Sequence, residues 1–218
     1  MDIGVLMVLT MTAFSTLILP MCNTYNIRNA GKKGWEKMGE AVRKLEGRSL
    51  VRRGGAGLVV RRVKGELVPE TMRWGFNHSQ YKLVNNARSD SLKRPQGMWA
   101  ESFSERRCLV PISEFYEWQE RPHGGKQPYE FRKPDGSWLW VAGLYERTDK
   151  GNNYATITTG PTPQVAEVHD RLLAIVEFEE GLAFLCGEKN DFTPYAGALD
   201  LRPCVSPLRK PPLQGELF

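Results

Sequence analysis

Hydrophobic residues recur at helical spacing in four stretches of the chain. The longest, residues 31–45, also carries Lys and Arg on its other positions. We interpret that basic face as a solvated helix surface, with contact to phosphates as the alternative. The remaining predicted helices are residues 98–107, 163–168 and 179–186.

Apolar runs separated by turn residues predict β-strands through most of the rest of the chain. The predicted strands are residues 58–60, 108–112, 115–118, 127–133, 138–147, 154–159 and 172–178. Turn signals at residues 134–136 and 150–153 join three of them. Strands joined so closely pair as an antiparallel meander, which favours an α+β domain over a doubly wound parallel sheet.

The first twenty residues differ from the chain behind them, because positions 4–19 are largely apolar. The run is short for a membrane helix, and it lacks the basic start and small-residue cleavage site of a secretory signal. We favour the interpretation that the start was assigned too far upstream and that the true start is Met21. A leader or anchor, and an integral part of the fold, are the alternatives. The sequence then predicts one domain over residues 21–208 and a flexible tail over 209–218.

Composition adds a weak preference for a polyanionic partner. Lys and Arg number 30 against 25 Asp and Glu, a formal charge of +5 over 218 residues. The four cysteines are widely spread and form no C-x-x-C pair, which argues against a zinc ribbon. In a chain of this length we expect them to be reduced thiols in the cytoplasm. No metal and no other cofactor is predicted.

The dipeptide Met21-Cys22 is the first candidate for chemistry. Removal of Met21 would leave Cys22 with a free α-amine beside its thiol. An aldehyde can condense with such an amine, and the neighbouring thiol can then add to the product and close a ring. Glu117 lies between two aromatic residues, and an apolar setting raises a carboxyl pKa towards the range for proton transfer. An outward-facing Glu117 on a half-buried strand is the equal alternative.

Two further motifs combine residue types that suit a DNA substrate. Asn86 and Arg88 alternate, so on an extended segment they project to the same side. There Arg can grip a phosphate, and Asn can hold a hydroxyl or a backbone group. His169 is followed by Asp170 and Arg171, which can orient it and tune its charge. Judged alone, each of these motifs is more often structural than functional.

A set of short motifs occurs in one order along the chain. They are Met21-Cys22, Arg73-Trp74-Gly75, Asn86-Ala87-Arg88, Arg107-Cys108-Leu109-Val110-Pro111, Phe115-Tyr116-Glu117-Trp118, Ala142-Gly143-Leu144-Tyr145-Glu146, Thr156-Ile157-Thr158-Thr159 and His169-Asp170-Arg171. This ordered set resembles the SRAP (SOS response-associated peptidase) family, the domain of the abasic-site processing proteins. The resemblance implies a single α+β domain with an antiparallel, barrel-like β core and peripheral helices. It also implies covalent capture of abasic sites in single-stranded DNA, in the DNA damage response.

The resemblance implies a role for each site residue. Cys22 would form a Schiff base with the open-ring sugar and close a thiazolidine. Glu117 would act as acid and base, His169 would assist proton transfer, and Asn86 would position Cys22 or the sugar. The DNA-binding residues that it implies are Arg73, Trp74, Arg88, Trp118 and Arg171. The partner would be single-stranded DNA with abasic sites. We expect a monomer without a membrane partner, in the cytoplasm and on the nucleoid when bound to DNA.

Two other functions stay open at this point. A thiol peptidase, nominally a hydrolase, would use Cys22 activated by His169 with Asn86 as orienter, and such an enzyme could release its own leader. A non-catalytic module would bind single-stranded DNA without any chemistry. The sequence also departs from the family at Asn23-Thr24, where Gly-Arg is usual, and this removes one expected phosphate contact.

Overall fold

The computed structural model describes residues 22–28, 49–80 and 82–209. The apolar residues 1–20, the predicted helix over residues 31–45 and residues 210–218 of the predicted tail lie outside these ranges. In the described ranges the strands are β1 (Thr24–Asn26), β2 (Leu50–Arg52), β3 (Ala56–Val63), β4 (Glu66–Trp74), β5 (Phe76–His78), β6 (Lys82–Val84), β7 (Asn86–Arg88), β8 (Arg107–Ile112), β9 (Glu114–Glu120), β10 (Lys126–Arg132), β11 (Leu139–Thr148), β12 (Gly151–Thr159), β13 (Leu172–Leu173), β14 (Ile175–Val176) and β15 (Asp200–Pro203). The helices are α1 (Ala100–Glu105), α2 (Pro163–Ala166) and α3 (Phe178–Leu185), and a 3-10 turn covers Ser89–Ser91.

Five strands close into a barrel. Their order is β12, β4, β3, β8 and β11, and β11 pairs with β12 to complete the ring. The pairings are antiparallel apart from β12 with β4, which is parallel and places Tyr154 opposite Trp74. The predicted α+β fold with a barrel-like β core is therefore confirmed, with one parallel pairing that the meander pattern did not predict. Beyond β4, strand β7 also pairs with β12 in parallel, with Asn86 opposite Thr156.

A second sheet places the start of the described chain against the barrel. Its order is β15, β10, β9, β1 and β2, so β1 lies between β9 and β2. Tyr25 of β1 pairs with Phe115 of β9 in antiparallel register. Successive side chains point to opposite faces of a strand, and this register therefore determines which residues of β9 face Cys22.

The core needs close backbone approach at two glycines. A β-carbon on Gly181 of α3 would lie 2.7 Å from Leu109 Cδ1, so this glycine lets α3 pack flat on β8. A β-carbon on Gly57 of β3 would overlap the hydroxyls of Tyr25 and Tyr154, which hydrogen-bond to each other in the core. The fully buried Trp74 packs edge-on against the Tyr25 ring. This aromatic cluster ties β1 to the barrel.

Most local predictions are confirmed with shifted ends. Predicted helices 98–107, 163–168 and 179–186 correspond to α1, α2 and α3. The predicted strand over residues 172–178 is partly wrong: it divides into β13 and β14, and α3 already begins at Phe178. Glu177 and Glu180 form a reciprocal capping box there, so the helix starts earlier than the apolar pattern indicates. All four cysteines are free thiols, as expected.

Candidate functional site

The pairing of β1 with β9 brings Cys22 and Glu117 into direct contact. The backbone N–H of Cys22 donates to Glu117 Oε1 at 2.8 Å, across 95 residues of sequence. Cys22 is fully buried and Glu117 is 2% exposed. The outward-facing alternative for Glu117 is therefore wrong, and the carboxyl group lies inside the protein beside the nitrogen of Cys22.

Burial controls the charge of both groups. Removal from water raises the pKa of Glu117 well above its usual range, Asp170 adds to the rise, and the hydrogen bond from Cys22 N–H opposes it. Burial also raises the pKa of the Cys22 thiol, and the nearby Glu117 raises it further. The site therefore favours a protonated carboxyl group beside a neutral thiol, which donates weakly to Thr24 O at 3.4 Å.

Two amides hold the carbonyl group of Cys22. Asn85 Nδ2 and Asn86 Nδ2 donate to Cys22 O at 3.2 and 3.1 Å. Asn86 is itself held, because Thr156 Oγ1 donates to Asn86 Oδ1 at 2.5 Å. Sequence reasoning predicted Asn86 and missed Asn85 and Thr156. The doubled Asn85-Asn86 was the available signal, although alternation on an extended strand singles out only one of the two.

His169 follows α2 and points its ring at the same carboxyl group. Its Nε2 lies 3.9 Å from Glu117 Oε2 and is buried without a hydrogen-bond partner among the described residues. Its Nδ1 accepts from the backbone N–H of Arg171 at 3.1 Å, and Asp170 Oδ1 lies 2.9 Å from the same nitrogen. Burial lowers the pKa of His169, and Asp170 opposes that effect. The imidazole is therefore neutral near neutral pH.

Two arginines lie beside this cluster. Arg88 of β7 is exposed and makes a two-pronged ion pair with Asp90, with Nε–Oδ1 at 3.1 Å and Nη2–Oδ2 at 2.6 Å. Arg171 is half-buried and donates through Nη2 to Thr158 O at 2.6 Å and to Thr158 Oγ1 at 3.0 Å. Thr158 is also the strand partner of Arg88, so both guanidinium groups lie at one end of β12.

Three predicted DNA-binding residues are not brought into the cluster. Trp74 is fully buried and donates through Nε1 to Asn85 O, so its ring cannot stack on a base. Arg73 pairs with Asn153, three residues before Thr156 on β12, and an odd spacing puts it on the opposite sheet face from Asn86. It lines a separate cleft of about 650 Å³. Trp118 is half-buried and lies on the opposite face of β9 from Glu117.

Two features are absent from the described part of the chain: a cluster of metal-ligating side chains and a helix of membrane-spanning length. Within residues 22–28, 49–80 and 82–209, no group of three His, Cys, Asp or Glu side chains could hold a metal ion. No helix in those same ranges is long and apolar enough to span a bilayer. The site chemistry that these residues can supply is that of the cysteine, carboxyl, imidazole and amide groups described above.

Fold and site together define a class of protein: a small β-barrel with a buried Cys–Glu–His cluster beside an Asn-x-Arg strand. The chain belongs to the SRAP (SOS response associated peptidase) family, whose profile matches residues 21–205. The family membership that the ordered motifs indicated is thereby established.

Named relatives carry a common description. The chain is similar to the abasic site processing protein YoqW of Bacillus subtilis, with 29% identity over 132 residues, 55% of this chain and 58% of the relative. It is also similar to the abasic site processing protein HMCES of Xenopus tropicalis, with 31% identity over 150 residues, 54% of this chain and 44% of the relative. The matched part thus spans about half the length of these relatives.

The fold is shared with solved structures. A crystal structure of a Bordetella bronchiseptica protein matches 85% of this chain and 100% of its own, with a TM-score of 0.63 and 20% identity. A phage-related protein from the same organism matches with a TM-score of 0.64 at 20% identity. At this identity the likeness concerns the fold.

Proposed function

We propose that this protein captures abasic sites in single-stranded DNA covalently, through a thiazolidine formed by Cys22. The observation that carries the proposal is the 2.8 Å contact between Cys22 N and Glu117 Oε1, with the Cys22 carbonyl held by two amides. The descriptions of the relatives as abasic site processing proteins support the choice of substrate. An open-ring abasic sugar presents an aldehyde, the group that a 1,2-aminothiol traps.

The chemistry begins at the amine. The unprotonated α-nitrogen of Cys22 attacks the aldehyde carbon, and a proton passes from the nitrogen to the carbonyl oxygen to give a carbinolamine. Glu117 then donates its proton to the hydroxyl group, which leaves as water. The nitrogen returns its remaining proton to the Glu117 carboxylate as the Schiff base forms. The thiol sulfur adds to the imine carbon while its proton passes to the nitrogen, and this closes the five-membered ring. The raised pKa of Glu117 supports its part as the proton donor.

This chemistry requires Cys22 to carry a free α-amino group. In the full sequence its nitrogen forms the amide bond to Met21. We propose that Cys22 becomes the first residue, either through initiation at Met21 and removal of that residue or through cleavage after it. Because every described strand lies after residue 21, protein that begins at Cys22 retains both sheets. The working domain then begins at Cys22 and lies within the predicted range of residues 21–208.

We assign DNA binding to Arg88 and Arg171, the two arginines at the end of β12. Arg88 is exposed, and its fork matches the geometry of a phosphate group. Arg171 lies next to it and adds positive charge. Trp118 lies on the opposite face of β9 from Glu117, so we assign it no base beside the abasic site. A monomer that acts on DNA in the cytoplasm is the arrangement we propose.

The thiol peptidase alternative has weaker support. A cysteine protease needs a thiolate, whereas burial and Glu117 both raise the pKa of the Cys22 thiol. The thiol is directed at Thr24 O, and the imidazole of His169 has Glu117 as its neighbour. The third alternative, a binding module without chemistry, predicts that DNA retention survives Cys22→Ser and stays sensitive to salt.

The test uses protein that begins at Cys22 and a labelled single strand with one abasic site. We expect an adduct that survives denaturing electrophoresis, and we expect Cys22→Ser to abolish it. Borohydride should restore an adduct in that variant, because the remaining α-amine still forms a Schiff base that reduction traps. Cys186→Ser, which removes an exposed thiol, is the matched control and should form the normal adduct. A verified free Cys22 that forms no adduct would refute the proposal.

A further inference from the structure

The two arginines at the end of β12, Arg88 and Arg171, lie on one side of Cys22. Both are next to Thr158, two residues along β12 from the strand partner of Asn86. An abasic sugar inside a strand carries a phosphate on each side, so the DNA continues from it in two directions. Contacts to phosphates fix the position of a nucleic acid on its protein. One direction of the strand therefore still needs a cationic partner.

Arg53 lies on the other side of Cys22, directly after β2. Its backbone N–H donates to Asn23 O at 3.0 Å, next to Cys22 in the chain. Its exposed guanidinium group donates through Nη2 to Leu83 O. Asn23 Oδ1 also accepts from Asn85 Nδ2 at 3.3 Å, two residues beyond Leu83. The backbone and the side chain of Arg53 thus both contact the surroundings of Cys22.

One segment, residues 83–88, connects the positions of the two exposed arginines. It comprises the end of β6 and all of β7. Arg53 is bonded to Leu83 at its start, and Arg88 is its last residue. The two amides that hold the Cys22 carbonyl come from the middle of the segment. At about 3.3 Å per residue, five steps of extended chain cover at most on the order of 16 Å. Cys22 therefore lies between Arg53 and Arg88.

The guanidinium group of Arg53 keeps donors for a ligand. An arginine has five N–H groups in a planar fork, and the contact with Leu83 uses one of them. Its acceptor is a neutral carbonyl group. Among the described residues no carboxylate pairs with Arg53, whereas Arg88 is held by Asp90. A phosphate group can therefore bind Arg53 without displacing an acidic side chain of this part of the chain.

Strand register separates Arg53 from its neighbour Arg52. Arg52 pairs with Thr24 of β1, and the next pair joins Val51 to Tyr25 in the core. Successive side chains point to opposite faces, so Arg52 lies on the opposite face of β2 from Val51. Arg53, one residue further along, turns back to the core-facing side and contacts Leu83 there. Two adjacent, exposed arginines of equal charge thus point in different directions.

We propose that Arg53 binds a phosphate of the single strand on the opposite flank of the abasic sugar from Arg88. The inference rests on the proposed function. The strand then passes over Cys22 with one guanidinium group on each flank. Contacts on both flanks limit how far the sugar can slide, and they hold its aldehyde near the nitrogen of Cys22. Each arginine fork matches the geometry of a phosphate group.

Salt dependence of binding to an intact single strand tests this contact without any chemistry. Arg53→Ala should reduce the slope of log affinity against log salt by about 0.7, the value of one phosphate contact. Arg52→Ala removes the same charge from the other face and should leave the slope unchanged. Arg53→Gln keeps an N–H group for Leu83 O but has no charge, and it should lose as much slope as Arg53→Ala. Arg53→Lys keeps the charge and should keep the slope.

Three results of these titrations would overturn the proposal. One is a wild-type slope for Arg53→Ala. Another is an equal loss for Arg52→Ala, which would reflect general attraction by positive charge. The third is a slope that Arg53→Gln restores, because Arg53 would then act only by holding Leu83.

A second experiment assigns each arginine to a flank. It uses protein that begins at Cys22 and strands with one abasic site, in which one phosphate at a time is replaced by a neutral methylphosphonate. At protein concentrations below saturation, the replacement that removes the Arg53 contact should slow adduct formation about two- to fivefold, the range of an exposed ion pair. It should not slow Arg53→Ala any further. Arg88→Ala should show the same insensitivity to a replacement on the other flank.

Coupling of the two arginines to different flanks supports the proposal, whichever flank belongs to which arginine. Coupling of both to one flank, or no coupling of Arg53 to any replaced phosphate, would overturn it. If the wild type forms no adduct with any strand, the proposed function fails, and the salt slopes still decide whether Arg53 binds a phosphate.

Discussion

The backbone nitrogen of Cys22 lies 2.8 Å from Glu117 Oε1, although 95 residues separate the two in sequence. The contact follows from strand register: Tyr25 opposite Phe115 aligns β1 with β9, so that the residue two positions beyond Phe115 faces the start of β1. Asn85 and Asn86 then hold the Cys22 carbonyl from the other side. The nitrogen is thus fixed between two sheets before any substrate binds, which is the preorganisation that a condensation with an aldehyde needs.

Replacement of Glu117 by Gln should change how stability depends on pH. Burial raises the pKa of Glu117 well above its ordinary 4.5, so the folded state holds this proton more tightly than the unfolded chain. The stability it contributes is complete below about pH 4.5 and is lost as pH rises through the folded pKa. The free energy of unfolding of the wild type should therefore fall relative to Glu117→Gln above that pH, by about 1.4 kcal/mol per tenfold difference in proton affinity.

Urea unfolding between pH 4 and 8 measures this difference. The full chain is the correct material, because a free amine on Cys22 would add a positive charge beside the carboxyl group. Glu120→Gln, on the exposed end of the same strand, is the control and should run parallel to the wild type. Curves for Glu117→Gln that also run parallel would show that this carboxyl group is ionised in the folded state.

Gly57→Ala should loosen the connection between β1 and the barrel. A β-carbon at this position would overlap the hydroxyls of Tyr25 and Tyr154, and overpacking of this kind costs about 1–3 kcal/mol. Tyr25 lies three residues after Cys22, so its displacement should also slow adduct formation. Gly160→Ala is the matched control, because nothing lies within 4 Å of a β-carbon there. Equal stability of the two variants in thermal unfolding would contradict the tight packing of the tyrosine pair.

A comparison of Arg88→Ala with Arg73→Ala should show which face of the sheet contacts DNA. Arg88 shares a face with Asn86, whereas Arg73 lies on the opposite face. Loss of one phosphate contact on a single strand should reduce the slope of log affinity against log salt by about 0.7. We expect that change for Arg88→Ala and an unchanged slope for Arg73→Ala, measured by fluorescence anisotropy. The opposite pattern would place the DNA along the cleft at Arg73.

The sequence predicted which residues of the candidate site lie together better than it predicted the faces of its strands. Motif order identified Cys22, Asn86, Glu117 and His169, and the fold brings them together. Alternation along β9 could not decide whether Glu117 points inward, because its direction depends on the register with β1. The same limit applies to Trp74: a Trp in a short aromatic motif suits a stacking platform or a core, and only its packing against Tyr25 decides for the core.

Parallel pairing was also outside the reach of local pattern. Strands β4 and β7 both join β12 in parallel, and the β5–β6 hairpin lies between them in sequence. Such a pairing depends on how the barrel closes. The spacing of hydrophobic residues along the chain does not predict that closure. It is this closure that puts Asn86 opposite Thr156 and so gives Asn86 its hydrogen-bond partner.

Asp90→Asn should strengthen binding to intact single-stranded DNA. Asp90 occupies two donors of Arg88, the Nε and one Nη, which a phosphate group would otherwise use. The pair is largely exposed, and exposed ion pairs contribute only about 0.2–1 kcal/mol. A phosphate group can therefore displace Asp90 from Arg88 at a small cost in binding free energy. Release of Arg88 should tighten binding by about two- to fivefold at low salt, with less effect at high salt. Asp200→Asn is the control, since Asp200 pairs with Arg202 at the same two-residue spacing on β15, at the edge of the second sheet. Weaker binding by Asp90→Asn in the same anisotropy titration would mean that Asp90 orients Arg88 towards the phosphate instead of competing with it.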